Sequence, residues 1–560
     1  MKNRLIDYLI ILIISLIILI PMFNENVNIY IDDGIQHIAR LMGTYQTITD
    51  GDIPPVIMSN FCNGFGYSWN IFYSPFTAYV PLIFSLITNS FELMLKIFIG
   101  LVGLVSGIAM YEFVKKITDN RYVALLAAGI YILAPYRFTD IYNRVAISEL
   151  TSFMFLPIVF HGMYNIFNSD CKTIPKSLVL AFGASGLILT HSVIAMYTAI
   201  FCAIYLFINI KKLKDKTILK LLIINILLII LLTSFYTIPL LEHKLNTQYE
   251  VFKEGRMERT DALIYNKVDF IDLLYTNKNN FSFEIGLVTL IGLILTLLAY
   301  KKIDNRYKTI YYFSLIAGIM CIIFSLRIFP FEKLPSVLKM IQFTFRLLEF
   351  STFFFAVVAA INYSLIIKNF GIKDVLVLLF IATFLLYPLT KNIKYNKTWS
   401  EEKLWPAIEV NNNTGRVHSG CATFEYLPSK AFENLDYIKN REDRVYLLAG
   451  KADIYNENKN GTNMSFEISN VEENTVIEFP YIWYLGYDVI LKNDNNEIQK
   501  LEIYESDNGF VATKLPAIDN GMIEIEYNGT IIMKISICVS ILTLLSLIIY
   551  IVYIKIRKEA

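Results

Sequence analysis

This sequence has few charged residues and no excess of either sign, which argues against several classes of protein. Only 18% of its 560 residues are charged, and 50 lysines and arginines are balanced by 49 aspartates and glutamates. A protein that binds nucleic acid usually presents a basic surface with aromatic residues between the charges, and the sequence has no such tract. We therefore expect no nucleic acid as a partner.

Cysteines and short catalytic motifs are also scarce. The six cysteines show no CxxC spacing, so the sequence indicates neither a zinc site nor a disulfide framework. HExxH, P-loop and GxSxG motifs are absent, and these would mark a zinc hydrolase, a nucleotide site or a nucleophile elbow. Chemistry on a cytoplasmic nucleotide is therefore not supported.

Hydrophobic residues, in contrast, are abundant: they make up 55% of the chain, and the mean hydropathy is +0.49. This composition predicts a polytopic α-helical protein of the plasma membrane. Lysines and arginines cluster at alternate breaks between apolar windows, which predicts cytoplasmic N- and C-termini. The twelve windows that we expect to span the membrane lie near 5–23, 91–113, 122–136, 146–166, 177–190, 192–210, 218–241, 283–300, 309–326, 346–367, 374–391 and 531–554.

One apolar stretch, 73–90, does not fit this alternation, because a crossing here would reverse every later orientation. We interpret it as a helix lying at the outer interface, within an outer loop that covers residues 24–90. The alternative is a true span with an unrecognised partner elsewhere. The transmembrane domain predicted in this way comprises residues 1–391.

The composition changes sharply in residues 392–530, where asparagine, glutamate and lysine rise and the apolar runs shorten. Short alternating segments, separated by turn residues such as Asn-Gly, predict a small outer β-domain that resembles a sandwich. Residues 531–560 then form the last membrane helix and a cytoplasmic tail.

An acidic pair, Asp32 and Asp33, follows the first apolar window by about ten residues. A carboxylate shielded by a membrane bundle can accept a proton from an attacking hydroxyl group, so both are candidate catalytic bases. His37 and Arg40 lie on the same face of a helix that starts at Asp33, and we expect them to contact the substrate. The alternative is that one aspartate only caps this helix.

Two further groups of residues lie at the predicted outer ends of spans. Arginines bind phosphate with two parallel hydrogen bonds, and an acid within a span is costly unless it is paired. The alternatives to substrate binding are structural. In them, the arginines snorkel towards lipid headgroups, Arg346 pairs with Glu349, and His191 is a buried structural histidine. The candidate substrate-binding residues of these groups are Arg137, Arg144, Glu149, His191, Arg346 and Glu349.

Several motifs resemble bacterial membrane proteins of the GT-C superfamily, in particular the "6-pyruvoyl-tetrahydropterin synthase-related" membrane proteins and the YfhO-like family. The motifs are Asp50-Gly-Asp-Ile-Pro-Pro55, Asn63-Gly-Phe-Gly-Tyr67, Phe72-Tyr-Ser-Pro75, Pro135-Tyr-Arg137, Tyr142-Asn-Arg144, Thr190-His191, Gln342-Phe-Thr-Phe-Arg346, Phe479-Pro-Tyr-Ile-Trp-Tyr-Leu-Gly-Tyr487 and Ile523-Glu-Ile-Glu-Tyr527. The resemblance covers nearly the whole chain.

This resemblance implies a GT-C fold, a sugar donor linked to polyprenyl phosphate, and inverting transfer to a cell-envelope glycan at the outer face of the membrane. It also implies that an acid of the first outer loop, here Asp32 or Asp33, is the base. A divalent metal is not supported, since Asp50-Gly-Asp52 has the Asp-x-Asp spacing but reads as a turn beside two prolines. The open alternatives are a flippase for lipid-linked sugars and a non-catalytic envelope scaffold.

Overall fold

The computed structural model describes residues 2–168, 173–257, 260–275, 281–395, 409–410, 417–418, 424–493 and 497–559. The α-helices within these ranges, numbered in chain order, are α1 (Lys2–Ile18), α2 (Asp33–Thr49), α3 (Trp69–Phe72), α4 (Phe76–Tyr79), α5 (Phe91–Thr118), α6 (Arg121–Ile132), α7 (Pro135–Tyr142), α8 (Ile147–Phe167), α9 (Ile174–Thr190), α10 (Ser192–Ile208), α11 (Lys216–Asn246), α12 (Thr260–Tyr265), α13 (Leu287–Ile294), α14 (Thr296–Ala299), α15 (Lys308–Ser325), α16 (Ser336–Lys339), α17 (Leu347–Ile366), α18 (Ile372–Leu386), α19 (Ser429–Glu433), α20 (Leu435–Asn440) and α21 (Ile531–Glu559).

Short 3-10 helices extend or connect several of these. They are Ile20–Phe23, Pro81–Leu86, Ile210–Lys214, Glu250–Phe252, Phe270–Leu273, Tyr300–Lys302, Phe331–Lys333, Thr344–Arg346 and Tyr387–Asn392.

Seven helical segments among the described residues are long and apolar enough to cross a membrane: α5, α8, α11, α15, α17 with the 3-10 turn before it, α18 with the 3-10 helix after it, and α21. An eighth span results if α6 and α7, which are bent by 41° at a short break, are counted as one. The central helix is α17. In its most apolar window 94% of the residues are buried in the protein, whereas in the corresponding window of α21 only 17% of the residues are buried. The protein is thus a helical membrane protein, as predicted.

The predicted count of twelve spans is wrong, because five windows form helices that are too short or broken. The hydrocarbon core of a bilayer is about 30 Å thick, and a helix of 17 residues is only about 26 Å long. The windows 5–23, 177–190 and 192–210 form helices of 17 residues each, namely α1, α9 and α10. The window 122–136 breaks before Pro135, and 283–300 is divided between α13 and α14.

The stretch 73–90 forms only the four-residue helix α4 and the 3-10 helix Pro81–Leu86. Neither element is long enough to span a membrane, so the alternative of a thirteenth span is not supported. Its position at the membrane interface stays a prediction.

A β-sandwich precedes the last helix, as the sequence predicts. Its strands, after a two-stranded ribbon of β1 (Glu409–Val410) and β2 (Val417–His418), are β3 (Tyr446–Ala449), β4 (Asp453–Asn460), β5 (Asn463–Val471), β6 (Thr475–Ile482), β7 (Tyr487–Asn493), β8 (Ile498–Leu501), β9 (Ile503–Glu505), β10 (Phe510–Leu515) and β11 (Ile518–Tyr527). They form an antiparallel four-stranded sheet, β3-β6-β10-β9, and an antiparallel five-stranded sheet, β4-β5-β11-β7-β8.

Alternation explains why most of these strands could be predicted. In β5 the buried residues include Met464, Phe466 and Ile468, with polar residues between them facing outwards. That pattern is the period of two of a strand with one buried face. β4 lacks this pattern, because its residues Asp453–Asn460 are mostly polar and mostly exposed.

The first outer loop packs against this sandwich rather than standing apart from it. Phe65 and Tyr67 belong to the same apolar cluster as Phe479 and Phe510 of the two-sheet core. The Ile482 amide donates a hydrogen bond to the Phe65 carbonyl oxygen at 2.9 Å. The loop and the sandwich therefore share one core, which holds the loop at a fixed position over the helices.

Candidate functional site

The start of α2 is fixed against the segment that joins α7 to α8. The Asp33 amide donates a hydrogen bond to the Arg144 carbonyl oxygen at 3.0 Å. Gly34 makes this approach possible, because a Cβ at this position would lie 2.0 Å from the Ile29 carbonyl oxygen and 2.9 Å from Cβ of Val145. The acidic pair is thereby held beside Arg144.

Arg144 is the centre of a buried cluster of charges. Its side chain is only 2% exposed, and its Nη1 lies 2.8 Å from both Oδ1 of Asp140 and Oε2 of Glu149. Its Nη2 lies 3.5 Å from Oδ2 of Asp33, a carboxylate that is 44% exposed. The guanidinium also lies over the Phe345 ring at 4.8 Å. Such burial excludes the alternative that Arg144 snorkels towards headgroups.

Arg346 extends the cluster from the other side of Glu149. Its Nε lies 3.1 Å from Oε2 of Glu149, and its Nη1 donates to the Ile341 carbonyl and to Oε1 of Gln342 at 3.0 and 2.9 Å. No hydrogen-bond partner of Nη2 is found in the part of the chain that the structure describes. Glu149 thus holds two arginines in fixed orientations, and Tyr136 donates a further hydrogen bond to Oε1 of Glu149.

Glu349 does not pair with Arg346, so that alternative is wrong. It is fully buried, and its Oε1 accepts a hydrogen bond from the Ser152 hydroxyl group. The residues Thr344–Arg346 form a 3-10 turn before α17 begins, so the spacing of three does not place Arg346 and Glu349 on one α-helical face. Asp140 is a member of the cluster that the sequence did not single out, although it precedes Arg144 by four residues.

Asp32 occupies the N-cap position of α2, but its side chain makes no capping hydrogen bond. The residue is exposed, and its φ of +44° is uncommon for a residue other than glycine. Although the residue as a whole is exposed, neighbouring protein atoms displace part of the water around its carboxyl group, and the negative charge of Asp33 lies close by. These two causes raise the pKa of Asp32 to about 6, although Arg144, Arg346 and Lys394 oppose them.

Arg40 and Arg137 turn away from the cluster. The guanidinium of Arg40 donates to Oδ1 of Asn70 and to the carbonyl oxygens of Tyr73 and Ser74 at 2.9–3.1 Å. Arg40 therefore anchors the first outer loop. Arg137 is fully buried, and its Nη2 would lie 3.1 Å from a Cβ at Gly103 of α5. That Arg137 and Arg40 contact the substrate stays a prediction.

The two histidines lie near the cluster in neutral form. Burial lowers the pKa of His37 to about 4 and that of His191 to about 3. His37 packs edge-to-face on Tyr73 with ring centroids 6.2 Å apart. Nδ1 of His191 accepts a hydrogen bond from the Ile194 amide at 3.3 Å, so the neutral ring carries its proton on Nε2.

A cavity of about 740 Å³ adjoins the cluster, and its largely apolar wall also carries charged side chains. Arg346, Gln342 and His191 line its inner wall, and Glu425 and Tyr426 come from the segment that precedes the sandwich. Asp32 and Asp33 are not among the described residues that line it. Asp33 is linked to Arg346 in the cavity wall through the ionic contacts of Arg144 and Glu149.

An apolar groove of about 690 Å³ meets this cavity at Tyr236 of α11, which lines both. Residues of α9, α11 and α21 form much of the groove, among them Leu189, Leu232 and Ile541. The hydroxyl group of Tyr236 lies 3.3 Å from Oγ of Ser192 and donates to the Phe72 carbonyl oxygen at 3.3 Å. An apolar groove and a cavity with charged side chains in its wall thus share Tyr236 beside a cluster of arginines and acids.

The described residues contain no group of three or more histidine, cysteine, aspartate or glutamate side chains that could hold a metal ion. The acids of the cluster contact arginines instead.

The fold and the cluster together define a membrane-spanning protein with a β-sandwich and a buried ionic site. No protein-family model matches the chain. The chain is 25% identical to an uncharacterized protein of Lactococcus lactis subsp. cremoris (strain MG1363) over 598 aligned positions, which cover 97% of this chain and 94% of that protein. This similarity extends through the helices and the sandwich alike, and it carries no activity with it.

Proposed function

We propose that the protein is a GT-C-type glycosyltransferase of the plasma membrane. It transfers a sugar from a polyprenyl-phosphate donor to a cell-envelope glycan or polymer acceptor at the outer face, with both termini in the cytoplasm. The observation that carries this proposal is the junction, at Tyr236, of the apolar groove and the cavity whose wall includes Arg346. A donor with a long apolar chain, a phosphate and a sugar needs both kinds of surface next to each other.

Arg346 supports the position of the phosphate at this junction. It lines that cavity, and two of its three nitrogen atoms are already held by Glu149, Gln342 and the Ile341 carbonyl group. A guanidinium that is fixed in this way can donate its remaining N–H groups to a phosphate oxygen without reorganising. Nη2 of Arg346 is therefore the donor that we assign to the leaving phosphate.

The acidic pair supplies the base. A general base works best when its pKa lies near the working pH, and the pKa of Asp32, raised to about 6, meets this condition better than an ordinary carboxylate. Asp32 takes the proton of the acceptor hydroxyl group, and the oxygen attacks the anomeric carbon from the face opposite the phosphate. The bond between the anomeric carbon and the phosphate oxygen breaks, and polyprenyl phosphate leaves with the electron pair.

Asp33 and Glu149 have positioning roles in this scheme. Asp33 contacts Nη2 of Arg144, and Glu149 bridges Arg144 and Arg346. The ionic contacts therefore connect the loop that carries the base to the arginine that faces the donor. The neutral His191, with its proton on Nε2, adds an uncharged hydrogen-bond donor to the cavity wall.

The test uses sealed membrane vesicles that contain radiolabelled polyprenyl-phosphate sugars and cell-envelope acceptor. Wild type is compared with the double variant Asp32→Asn/Asp33→Asn and with Glu25→Gln, an exposed acid of the same loop. We expect label to reach the acceptor with wild type and Glu25→Gln, and this transfer to be lost in the double variant. Undiminished transfer by the double variant would contradict the assignment of the base.

The same vesicles separate a transferase from a flippase for lipid-linked sugars. Movement of the labelled donor between leaflets without transfer to any acceptor, and without loss in the double variant, would favour the flippase.

A further inference from the structure

Three hydroxyl groups meet where the apolar groove joins the cavity beside the ionic cluster. They belong to Ser74 of the first outer loop, Ser192 at the start of α10 and Tyr236 of α11, and all three side chains line the cavity. Oγ of Ser192 lies 3.0 Å from Oγ of Ser74 and 3.3 Å from the hydroxyl oxygen of Tyr236. We call these three residues the hydroxyl triad.

The hydroxyl triad makes more contacts than it has protons. Ser74 donates to the Ile188 carbonyl oxygen at 3.0 Å, and Tyr236 donates to the Phe72 carbonyl oxygen at 3.3 Å. With the two contacts between hydroxyl groups, these make four contacts for three hydroxyl protons. A carbonyl oxygen can only accept, so at least one of the four contacts has no proton.

The distances indicate which contact lacks the proton. Both contacts of Ser74 are 3.0 Å long, so its own proton goes to the Ile188 carbonyl group and it accepts the proton of Ser192. Tyr236 keeps its proton for the Phe72 carbonyl group, and the longer contact between Ser192 and Tyr236 then brings two acceptors together. Their lone pairs can accept a proton from a ligand. Because Ser192 is exposed and lines the cavity, a ligand in the cavity can reach it.

The missing proton defines the chemistry of the ligand group. A phosphate diester carries no proton at neutral pH and cannot supply it, whereas a hydroxyl or an amide N–H group of a sugar can. Nε2 of the neighbouring His191 adds a donor to the same wall. Phe72 and Tyr426, which stack with ring centroids 5.4 Å apart, also line the cavity. Donors and acceptors beside aromatic rings suit a sugar, which has hydroxyl groups around an apolar ring face.

The hydroxyl triad is fixed before a ligand binds. Arg40 donates to the carbonyl oxygens of Tyr73 and Ser74 at 2.9 and 3.0 Å, which holds the backbone that carries the first hydroxyl group. Ser192 begins a helix of 17 residues, and Tyr236 lies within the long helix α11. Groups that are already in place lose little entropy when they bind a ligand.

We propose that the hydroxyl triad binds the sugar of the lipid-linked donor by accepting a hydrogen bond from a hydroxyl or amide N–H group of that sugar. A polyprenyl chain in the groove ends at Tyr236, so the phosphate and the sugar attached to it enter the cavity beside the triad. Arg346 contacts the phosphate, and the triad contacts the sugar. This assignment rests on the donor of the proposed function, although not on the transfer step.

The test measures ligand binding by isothermal titration calorimetry to the full chain in phosphatidylcholine nanodiscs, with empty nanodiscs as the background. The probes are farnesyl phosphate and its conjugates with glucose, galactose, mannose and N-acetylglucosamine. The variants are Ser192→Ala, Tyr236→Phe and Ser192→Thr, the last of which keeps the hydroxyl group. The matched control is Ser336→Ala, because Ser336 is also exposed and begins a helix but does not line the cavity.

We expect wild type to bind at least one conjugate more tightly than farnesyl phosphate. Ser192→Ala and Tyr236→Phe should each bind that conjugate about three- to tenfold more weakly, which is the usual effect of one neutral hydrogen bond. Their affinity for farnesyl phosphate should not change. Ser192→Thr and Ser336→Ala should match wild type with every probe.

Equal weakening for farnesyl phosphate and for the conjugates would overturn the proposal, because the triad would then act on the phosphate or on the fold. A wild type that prefers no conjugate over farnesyl phosphate would also overturn it. Methyl glycosides of the same sugars test an acceptor instead. Weaker binding of these by Ser192→Ala, with unchanged binding of the conjugates, would assign the triad to the acceptor and contradict the proposal.

The binding assay contains no acceptor, so it is independent of transfer. If the expected binding pattern is found but no label reaches an acceptor in the vesicle assay, the proposed function fails and the sugar site stands. If transfer occurs and Ser192→Ala binds every conjugate as wild type does, the sugar site fails and the proposed function stands.

Discussion

The charged side chains near the two ends of α8 differ in how far they are buried. At its N-terminal end, Glu149 contacts both Arg144 and Arg346, and all three residues are almost fully buried. At its C-terminal end, described cations such as Lys116, Lys212 and Arg306 are exposed to water. A buried charge must be paired because its desolvation is costly, whereas an exposed charge keeps its water. The first arrangement fixes geometry, and the second leaves its charges hydrated.

The largest effect that this comparison predicts is that of Glu149→Gln. The substitution leaves two buried guanidinium groups without the carboxylate that they share, so we expect the free energy of unfolding to fall by about 3–5 kcal/mol. The measurement is SDS titration of the purified protein in mixed micelles. A loss below about 1 kcal/mol would mean that the cluster is solvated and that the contrast between the two ends is wrong.

An intermediate effect is expected for Ser152→Ala. This change removes the hydroxyl group that donates to the fully buried Glu349, and an unsatisfied buried acceptor costs about 1–3 kcal/mol. The matched control is Ser351→Ala, because Ser351 is also buried but donates only to the Leu348 carbonyl oxygen of its own helix. The same titration should show a larger loss for Ser152→Ala than for Ser351→Ala, and the reverse order would contradict the account.

The smallest effect is expected at the other end of α8, for Glu112→Gln. Its partner Arg4 is 58% exposed, and an ion pair that is open to water contributes about 0–1 kcal/mol. The unfolding free energy of Glu112→Gln in mixed micelles should therefore differ from that of wild type by no more than this. A loss as large as that of Glu149→Gln would show that both ends depend on buried pairs.

The sequence predicted some parts of this structure better than others, and the reasons are physical. Long apolar runs such as 531–554 and the alternating pattern of β5 depend on local composition, so they could be read directly. The break before Pro135 and the interruption at His191 shorten apolar windows that hydropathy counts as spans. The polar strand β4 takes its place from pairing with β5, which no local pattern in β4 indicates.

The candidate site shows the same limit. The residue types and the predicted side of the membrane were enough to identify Arg144, Glu149, Arg346 and the acidic pair as candidate site residues. The contact between Arg346 and Glu149 joins residues that are 197 positions apart, and it depends on how α8 packs against α17. Arg137, two residues after the start of α7, lies against Gly103 of α5, and this position likewise depends on tertiary packing rather than on local sequence.

The most direct test of the central claim, that this site transfers a sugar with Asp32 as base, is the pH dependence of transfer by the purified protein in lipid vesicles. Because a raised pKa keeps Asp32 protonated below about pH 6, transfer by wild type should fall as the pH drops through about 6. Asp33→Asn removes a neighbouring charge that raises this pKa, so the fall should move to lower pH.

Asp32→Asn should reduce transfer by a factor of about 10²–10⁴ at pH 7 and abolish this pH dependence, because the amide cannot accept the proton. Asparagine tolerates the positive φ at this position, so the loss reports on the carboxylate. Wild-type rates in Asp32→Asn, with an unchanged acid limb, would contradict the claim.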